Sequence, residues 1–344
     1  MPPYNRLLKR FRNIPLRRIL VVPFLLQTGL ALGVTLYILK AQHDAVKDIS
    51  TELRKEVGKS VQQNLLEYLD KPYQVNQMNA AAIQNGEIDV MKPAQLEQHF
   101  WHQLQHFKTV TTLAFATPQK DFVAAERQRN GSLTVRASSP ATGYELRAYN
   151  TDSRGNRLKV INVGKNFNPL RRPWYTIANR TRKPSWSRIY PYFKRKTLYL
   201  SAGHPVYTPQ GQLQGVLLAN LDLFQLSQFL RSLNSGKSGQ CFILNRSGFL
   251  IASSTPDKLF QIQTKPTLLT EDKVQLQQAV SSSNKVTQAT TRYLTAQLGD
   301  LKSIQRIHYL EFDIDGKQQL LQVLPLKDDR GIDWLVVVVV PAEN

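Results

Sequence analysis

Phe167-Asn-Pro-Leu-Arg-Arg172-Pro-Trp174-Tyr175, then Trp186-Ser-Arg-Ile-Tyr190-Pro-Tyr192, then an apolar run closing on Asn220-Leu-Asp222, form the stretch around which the chain is organised. It gathers a guanidinium, several aromatic rings and one carboxylate. Arg172 can grip a carboxylate through two parallel hydrogen bonds. Asp222 can accept from an ammonium, and Trp174, Tyr175 and Tyr190 can wall the site and face a cation with their rings. The same residues admit a plainer reading, in which Pro173 opens a helix and the two aromatics after it pack into a core. The residues alone leave both readings open.

Outward from this stretch the dominant signal is β. Strand runs are expected from Val110, again at Phe122, and at Leu133 to Ala137, Tyr144 to Tyr149 and Leu158 to Val163, then Leu198 to Tyr207 and Gln214 to Leu223. Clusters of Gly, Ser, Asn and Asp separate them as turns, which predicts an antiparallel sheet with helices packed against it. A duplication shows in the closing hairpins. Pro205 to Gly211 followed by Val216-Leu-Leu recurs as Pro325 to Gly331 followed by Val336-Val-Val, with identical spacings. The strand-turn-strand at Leu113 likewise recurs around Phe242 and Gly248. Two similar units therefore follow one another, joined by an amphipathic helix from Phe224 to Leu233 and the linker Asn-Ser-Gly-Lys-Ser-Gly. The second unit has no counterpart of Arg172-Pro-Trp-Tyr.

The amino-terminal end reads differently. Residues 1–18 carry six Lys or Arg and no acid, and the twenty-one residues from Ile19 to Leu39 carry no charge. About twenty such residues span a bilayer as a helix. A cleaved signal peptide also starts basic and then apolar, but the run is long and no small-x-small site follows Leu39, so an uncleaved anchor is expected. The positive-inside rule then leaves everything after Lys40 outside the cytoplasm. Val46, Ile49, Leu53, Val57, Val61, Leu65 and Leu69 form one stripe of a helix roughly 40 Å long, expected to end at Pro72. A second helix, Ala94 to Phe107, should bury Leu96, Phe100, Leu104 and Phe107. His99, His102 and His106 on it could share a face, but no acid or thiol completes a metal site, and a solvated polar face explains them.

Composition excludes several classes. At 344 residues with 42% hydrophobic content the chain can bury a sizeable core. The single Cys241 excludes an internal disulfide framework and is expected to be a buried small hydrophobe. No phosphate loop, Gly-x-Gly-x-x-Gly, His-Glu-x-x-His or Gly-x-Ser-x-Gly occurs, so no enzyme and no cofactor is expected. Asp313-Ile-Asp-Gly316 begins like a calcium loop but lacks the later ligands and reads as a hairpin turn. Of the net +20, residues 120–196 supply +14 and the tail the other six. That segment should lie outside the cytoplasm, which argues against nucleic acid and for a field attracting anionic or zwitterionic small ligands.

The central stretch resembles the ligand-binding signature of double-Cache sensor domains of bacterial receptors, Tyr-x4-Arg-x-Trp-Tyr with a later Tyr and Asp. Here Phe167 stands in place of the leading Tyr, followed by Arg172, Trp174, Tyr175, Tyr190 and Asp222. The resemblance implies an α+β fold: an N-terminal transmembrane helix, a long stalk helix, then two PAS-like antiparallel-sheet units in tandem. The expected division is a basic cytoplasmic tail over 1–18, the transmembrane helix over 19–39, the stalk over 40–72, a ligand-binding, membrane-distal unit over 73–232 and a membrane-proximal, transmitting unit over 233–344. It implies a single-pass protein of the plasma (inner) membrane that senses a small molecule, an amino acid or related amine or carboxylate, with a homodimer through the stalk. Because the sequence ends soon after Trp334-Leu-Val-Val-Val-Val-Val340, the effector is expected elsewhere, in a longer receptor or a separate signalling partner. The alternative is an anchored interaction module whose basic face binds an acidic envelope polymer or lipid headgroups.

Overall fold

The computed structural model describes residues 16–192, 197–233, 239–262 and 274–342, without the side chains of 16–20, 22–23, 41–54, 262 and 274. The basic tail before residue 16 and linker residues 234–238 lie outside this set, as do the side chains of Val46, Ile49 and Leu53. The chain divides into two units, residues 1–59 and 60–344.

In the first unit the described residues all belong to α1, Leu16–Gln84. Phe24, Leu25, Leu26, Leu30, Leu32, Leu36 and Leu39 all expose more than half of their surface. Among the described residues, no helix is long and apolar enough to cross a membrane. The expected span from Ile19 to Leu39 includes four side chains, at 19, 20, 22 and 23, that lie outside them.

The second unit begins within α1, where one expectation fails. Pro72 does not end the helix, which runs three further turns to Gln84. A helix-interior proline forfeits one hydrogen bond and strains the preceding turn, about 3 kcal/mol. Burial beyond it offsets that cost, because Tyr73, Val75, Asn76, Asn79, Ala80 and Ile83 are all buried. Pro93–His106 forms α2, which buries Leu96, Phe100, Trp101 and Leu104.

Five strands follow as a meander: β1 Thr112–Ala116, β2 Phe122–Arg127, β3 Leu133–Ser138, β4 Leu146–Thr151 and β5 Arg157–Gly164. Then come α3 Pro173–Thr181, short strands β6 Ser185–Trp186 and β7 Tyr190–Tyr192, the long hairpin β8 Thr197–Tyr207 and β9 Leu213–Asp222, and α4 Leu223–Leu233. These strands make one nine-stranded sheet ordered β5-β4-β3-β2-β1-β9-β8-β6, with β7 on β8. Period-two alternation splits its faces. Leu113, Phe115, Val123, Ala125, Val135, Leu217 and Ala219 pack with Val75, Leu96, Phe100 and Leu104 of α1 and α2. Ala114, Ala116, Phe122, Ala124, Val216 and Leu218 face the other way, toward α3.

The remaining elements are β10 Gln240–Asn245, β11 Leu250–Ser253, a small hairpin of β12 Phe260–Ile262 and β13 Val274–Leu276, α5 Lys285–Leu298, β14 His308–Ile314, β15 Lys317–Lys327 and β16 Asp333–Pro341. They form a five-stranded sheet ordered β11-β10-β16-β15-β14. The order β2-β1-β9-β8 of the first sheet and β11-β10-β16-β15 of the second is the same arrangement, so the duplication read in the hairpins is a duplication of topology. One detail separates the copies. Pro205 pairs with Val216, and a register shift then separates Val206 from Tyr207, whereas Pro325 pairs with Leu335 in a regular ladder. Asp315 and Gly316 join β14 to β15 with φ of 53° and 78°, the left-handed pair a type I′ turn requires. The Asp313 motif is therefore a turn. Cys241 is buried, and desolvation pushes its thiol up to about 12.

Candidate functional site

The signature stretch folds in three local steps. The Asn168 side chain accepts from the Leu170 amide at 3.0 Å and fixes a single 3-10 turn over Pro169–Arg171. Arg172 is extended, φ −76° and ψ 144°, and serves as N-cap of α3, with Pro173 at the first helical position. Trp174, Tyr175 and Ala178 then point into the sheet and are buried. The plainer reading of Arg-Pro-Trp-Tyr thus describes the local fold correctly, and the helix it builds stands over the candidate site.

Close contact with β8 holds α3 in place. A Cβ on Gly203 would lie 2.4 Å from the Trp174 carbonyl oxygen and 3.1 Å from the Ala178 Cβ, so only glycine lets the helix backbone approach this strand so closely. Trp174, Tyr175, Tyr190 and Tyr199 join Phe122, Ala124 and Leu218 in one cluster, with Phe167 against it. Phe122 meets the Phe167 ring edge-on at 4.9 Å. The Arg172 guanidinium lies 5.3 Å from the Phe167 centroid.

The other expected residues lie on the same face. The Tyr190 hydroxyl is 2.7 Å from Ser201 Oγ, which donates to Asn220 Oδ1 at 2.5 Å. Asp222, buried at the end of β9, accepts from the Phe224 amide at 2.9 Å and from the Thr197 hydroxyl. It therefore caps the start of α4 as well as facing the site. Tyr68 of α1 senses this carboxylate: burial first, and the Asp222 charge second, push its phenol well above the ordinary range.

The structure adds a charged centre that sequence reasoning missed. Glu126, on β2, is ion-paired with Arg136, on β3, and both point to the α3 face by strand register. Arg136 also donates to the Tyr192 hydroxyl, and Tyr192 stacks on Tyr199 at 4.9 Å. Burial alone would lower the Arg136 pKa, but Glu126 and the Tyr192 and Tyr199 phenols outweigh it, and the net displacement is upward. The signal was present as alternation: Phe122, Ala124 and Glu126 share one face of β2, and Thr134, Arg136 and Ser138 share one face of β3. Nothing in either strand alone says which face meets α3.

The solvated face expected for the three histidines of α2 holds for His102 and His106, which are exposed, but not for His99, which is half-buried. His99 Nε2 lies 2.8 Å from Asn79 Oδ1, so this ring joins α2 to α1. Among the described residues no group of His, Cys, Asp and Glu could hold a metal ion.

Two antiparallel sheets of one topology follow each other in a mixed α/β build, and among the described residues an Arg-capped aromatic helix covers the first. Residues 40–344 match the family model of the Cache domain, and the chain belongs to that family. Solved structures agree on the fold. The ligand-binding domain of the Pseudomonas fluorescens chemoreceptor CtaA, in complex with L-serine, is 17% identical, with 87% of this chain and 99% of that chain covered and a TM-score of 0.53. That of the Campylobacter jejuni chemoreceptor Tlp3, in complex with L-valine, is 10% identical, with coverage of 87% and 95% and a TM-score of 0.54. That of the Pseudomonas aeruginosa PAO1 amino-acid chemoreceptor PctC, in complex with GABA, is 15% identical, with coverage of 83% and 96% and a TM-score of 0.50. No curated protein sequence matches the chain.

Proposed function

We propose that the chain is a membrane-anchored, extracytoplasmic, non-catalytic sensor that binds an amino acid or a related amine or carboxylate on the α3 face of the nine-stranded sheet. The observation that carries this reading is the shared face: Arg172 at the α3 N-cap, the Trp174, Tyr175 and Tyr190 wall and Asp222 at the end of β9 all look toward one side of one sheet. Arg172 would hold the ligand carboxylate and Asp222 its ammonium, with the rings excluding water. The solved relatives that bind L-serine, L-valine and GABA have ligands of this chemistry. Phe167 offers no hydroxyl to the carboxylate, so Phe167→Tyr should preserve or strengthen binding.

In the same reading, Ile19 to Leu39 is the anchor, supported by the apolar side chains from Phe24 to Leu39 that no protein surface covers. Residues 73–232 form the ligand-binding, membrane-distal unit and 233–344 the membrane-proximal unit that transmits the signal to an effector, in a longer receptor or in a separate partner, with a homodimer through the stalk. The contacts that would carry the signal join both sheets to α1. Trp186 of β6 donates from its backbone to the Arg330 carbonyl and from its indole to Asp328, each at 2.8 Å. The Arg330 guanidinium lies 4.0 Å from the Tyr73 centroid and donates to Asp70 at 2.8 Å.

Calorimetry of the full chain in detergent against a panel of amino acids, amines and carboxylates tests the binding function. Arg172→Ala should weaken the best ligand about thirtyfold or more. An unchanged affinity would make Arg172 a structural cap and misplace the site. A reporter fused after Asn344 tests topology: it should behave as extracytoplasmic, and a cytoplasmic signal would overturn the anchored reading.

A further inference from the structure

We propose that Glu126 and Arg136 form a charge-compensated subsite that reads the side chain of the ligand and selects a neutral carboxamide over charged or apolar groups. This rests on the amino-acid reading above.

Position is the first argument. On β2, Phe122 packs against Phe167 and Trp174 beside Arg172, while Glu126 lies across Thr112 from Asn220, which belongs to the Tyr190–Ser201 chain. The strand thus runs from the Arg172 corner to the Tyr190 row, and the charged pair sits on the floor beside both. Neither Glu126 nor Arg136 belongs to the signature that grips the common backbone of an amino acid. What remains for them to meet is the variable part.

Chemistry is the second argument. A buried ion pair seldom stabilises a fold more than apolar residues of the same shape would, so its presence in a binding face points to use. Glu126 exposes 1% of its side chain and Arg136 14%. The pair is net neutral, so a charged ligand group would be buried without compensation. An apolar group would fail differently: among the described residues Arg136 Nε and Ser138 Oγ are buried without a hydrogen-bond partner, and Ser138 shares the β3 face with Arg136. A carboxamide supplies what these two atoms call for, an oxygen to accept from Arg136 Nε and an N–H to donate to Ser138 Oγ. Sites with polar groups awaiting a partner reject analogues that cannot supply one.

The test is calorimetry of the full chain in detergent with L-glutamine, L-glutamate, L-lysine and L-norleucine. L-Glutamine should bind wild type about tenfold or more tighter than the other three. Glu126→Gln leaves the Arg136 cation uncompensated and should move the preference toward L-glutamate. Arg136→Gln leaves the Glu126 carboxylate and should move it toward L-lysine. Either single variant strands a buried charge and can unfold; the double variant strands none and should keep L-glutamine ahead of both charged ligands. A wild-type preference for a charged or apolar ligand, or folded single variants that keep the wild-type ranking, would overturn the subsite alone. Failure of all four ligands to bind would overturn the amino-acid reading and the subsite with it.

Discussion

Asp222 has two jobs in this reading, and one substitution separates them. Its Oδ1 accepts from the Phe224 amide and the Thr197 hydroxyl, while its negative charge is what a ligand ammonium would meet. Asp222→Asn keeps an oxygen in the same place and removes the charge. Asn caps helices as well as Asp, so the melting temperature should move by only a few degrees, about 1 kcal/mol or less. Binding should suffer more, because an ammonium buried beside a neutral amide loses its counter-charge, about 2 to 5 kcal/mol or at least thirtyfold in Kd. Asp222→Ala should lose both functions. To the binding loss it adds about 1 kcal/mol for the missing cap and about 1 to 3 kcal/mol for the stranded Thr197 hydroxyl. Thermal melts and calorimetry on the full chain in detergent, with the best-binding amino acid and its analogue lacking the amino group, measure all these terms. The analogue should bind wild type poorly and lose little further with Asp222→Asn. If Asp222→Asn binds the amino acid as wild type does, Asp222 is only a cap and the ammonium sits elsewhere.

Three further outcomes follow from packing and charge. Gly203→Ala places a methyl 2.4 Å from the Trp174 carbonyl, so α3 must lift; a stability loss of about 1 to 3 kcal/mol with weakened ligand binding is expected in melts and calorimetry, and an unchanged protein would refute the close approach. Arg330→Gln should cost about 1 to 2 kcal/mol through the lost contacts with the Tyr73 ring and Asp70, read as a lower melting temperature, while ligand affinity stays within a few fold. Burial holds the imidazoles of His99 and His204 below the ordinary 6.5. The folded state therefore binds fewer protons than the unfolded one, so their contribution is complete above about pH 6.5 and is lost as the pH falls through the lowered values. Melting temperature should drop between pH 7 and 5, less steeply in His99→Gln, and a pH-independent melt would contradict this.

Much of the architecture was legible because short-range chemistry dictates it. Turn clusters and two-residue alternation announced β1 to β5, β8 and β9, and equal spacings in two hairpins announced the repeated topology. Pro173 after Arg172 announced the start of α3. The α5 helix was not announced: its run Lys285–Leu298 carries four threonines, weak helix formers, of which Thr287, Thr290 and Thr291 are buried. The helix stands there because Asn284 caps it, accepting from the Thr287 amide at 3.0 Å, and because Leu294 and its neighbours pack on the five-stranded sheet.

What the sequence determined by itself was therefore local: which segments are strands, where they turn, that the unit is repeated, and that one helix begins with Arg-Pro-Trp-Tyr. The tertiary structure decided what depends on residues far apart in the chain. It carried α1 through Pro72, because burial against the sheet outweighs one lost backbone bond. It turned Glu126 and Arg136 toward α3, because sheet register and the helix laid over Gly203 settle which face of an alternating strand meets that helix. It also gave the Asp222 carboxylate the Thr197 hydroxyl and the Phe224 amide as partners, since these reach it only when β8, β9 and α4 have come together.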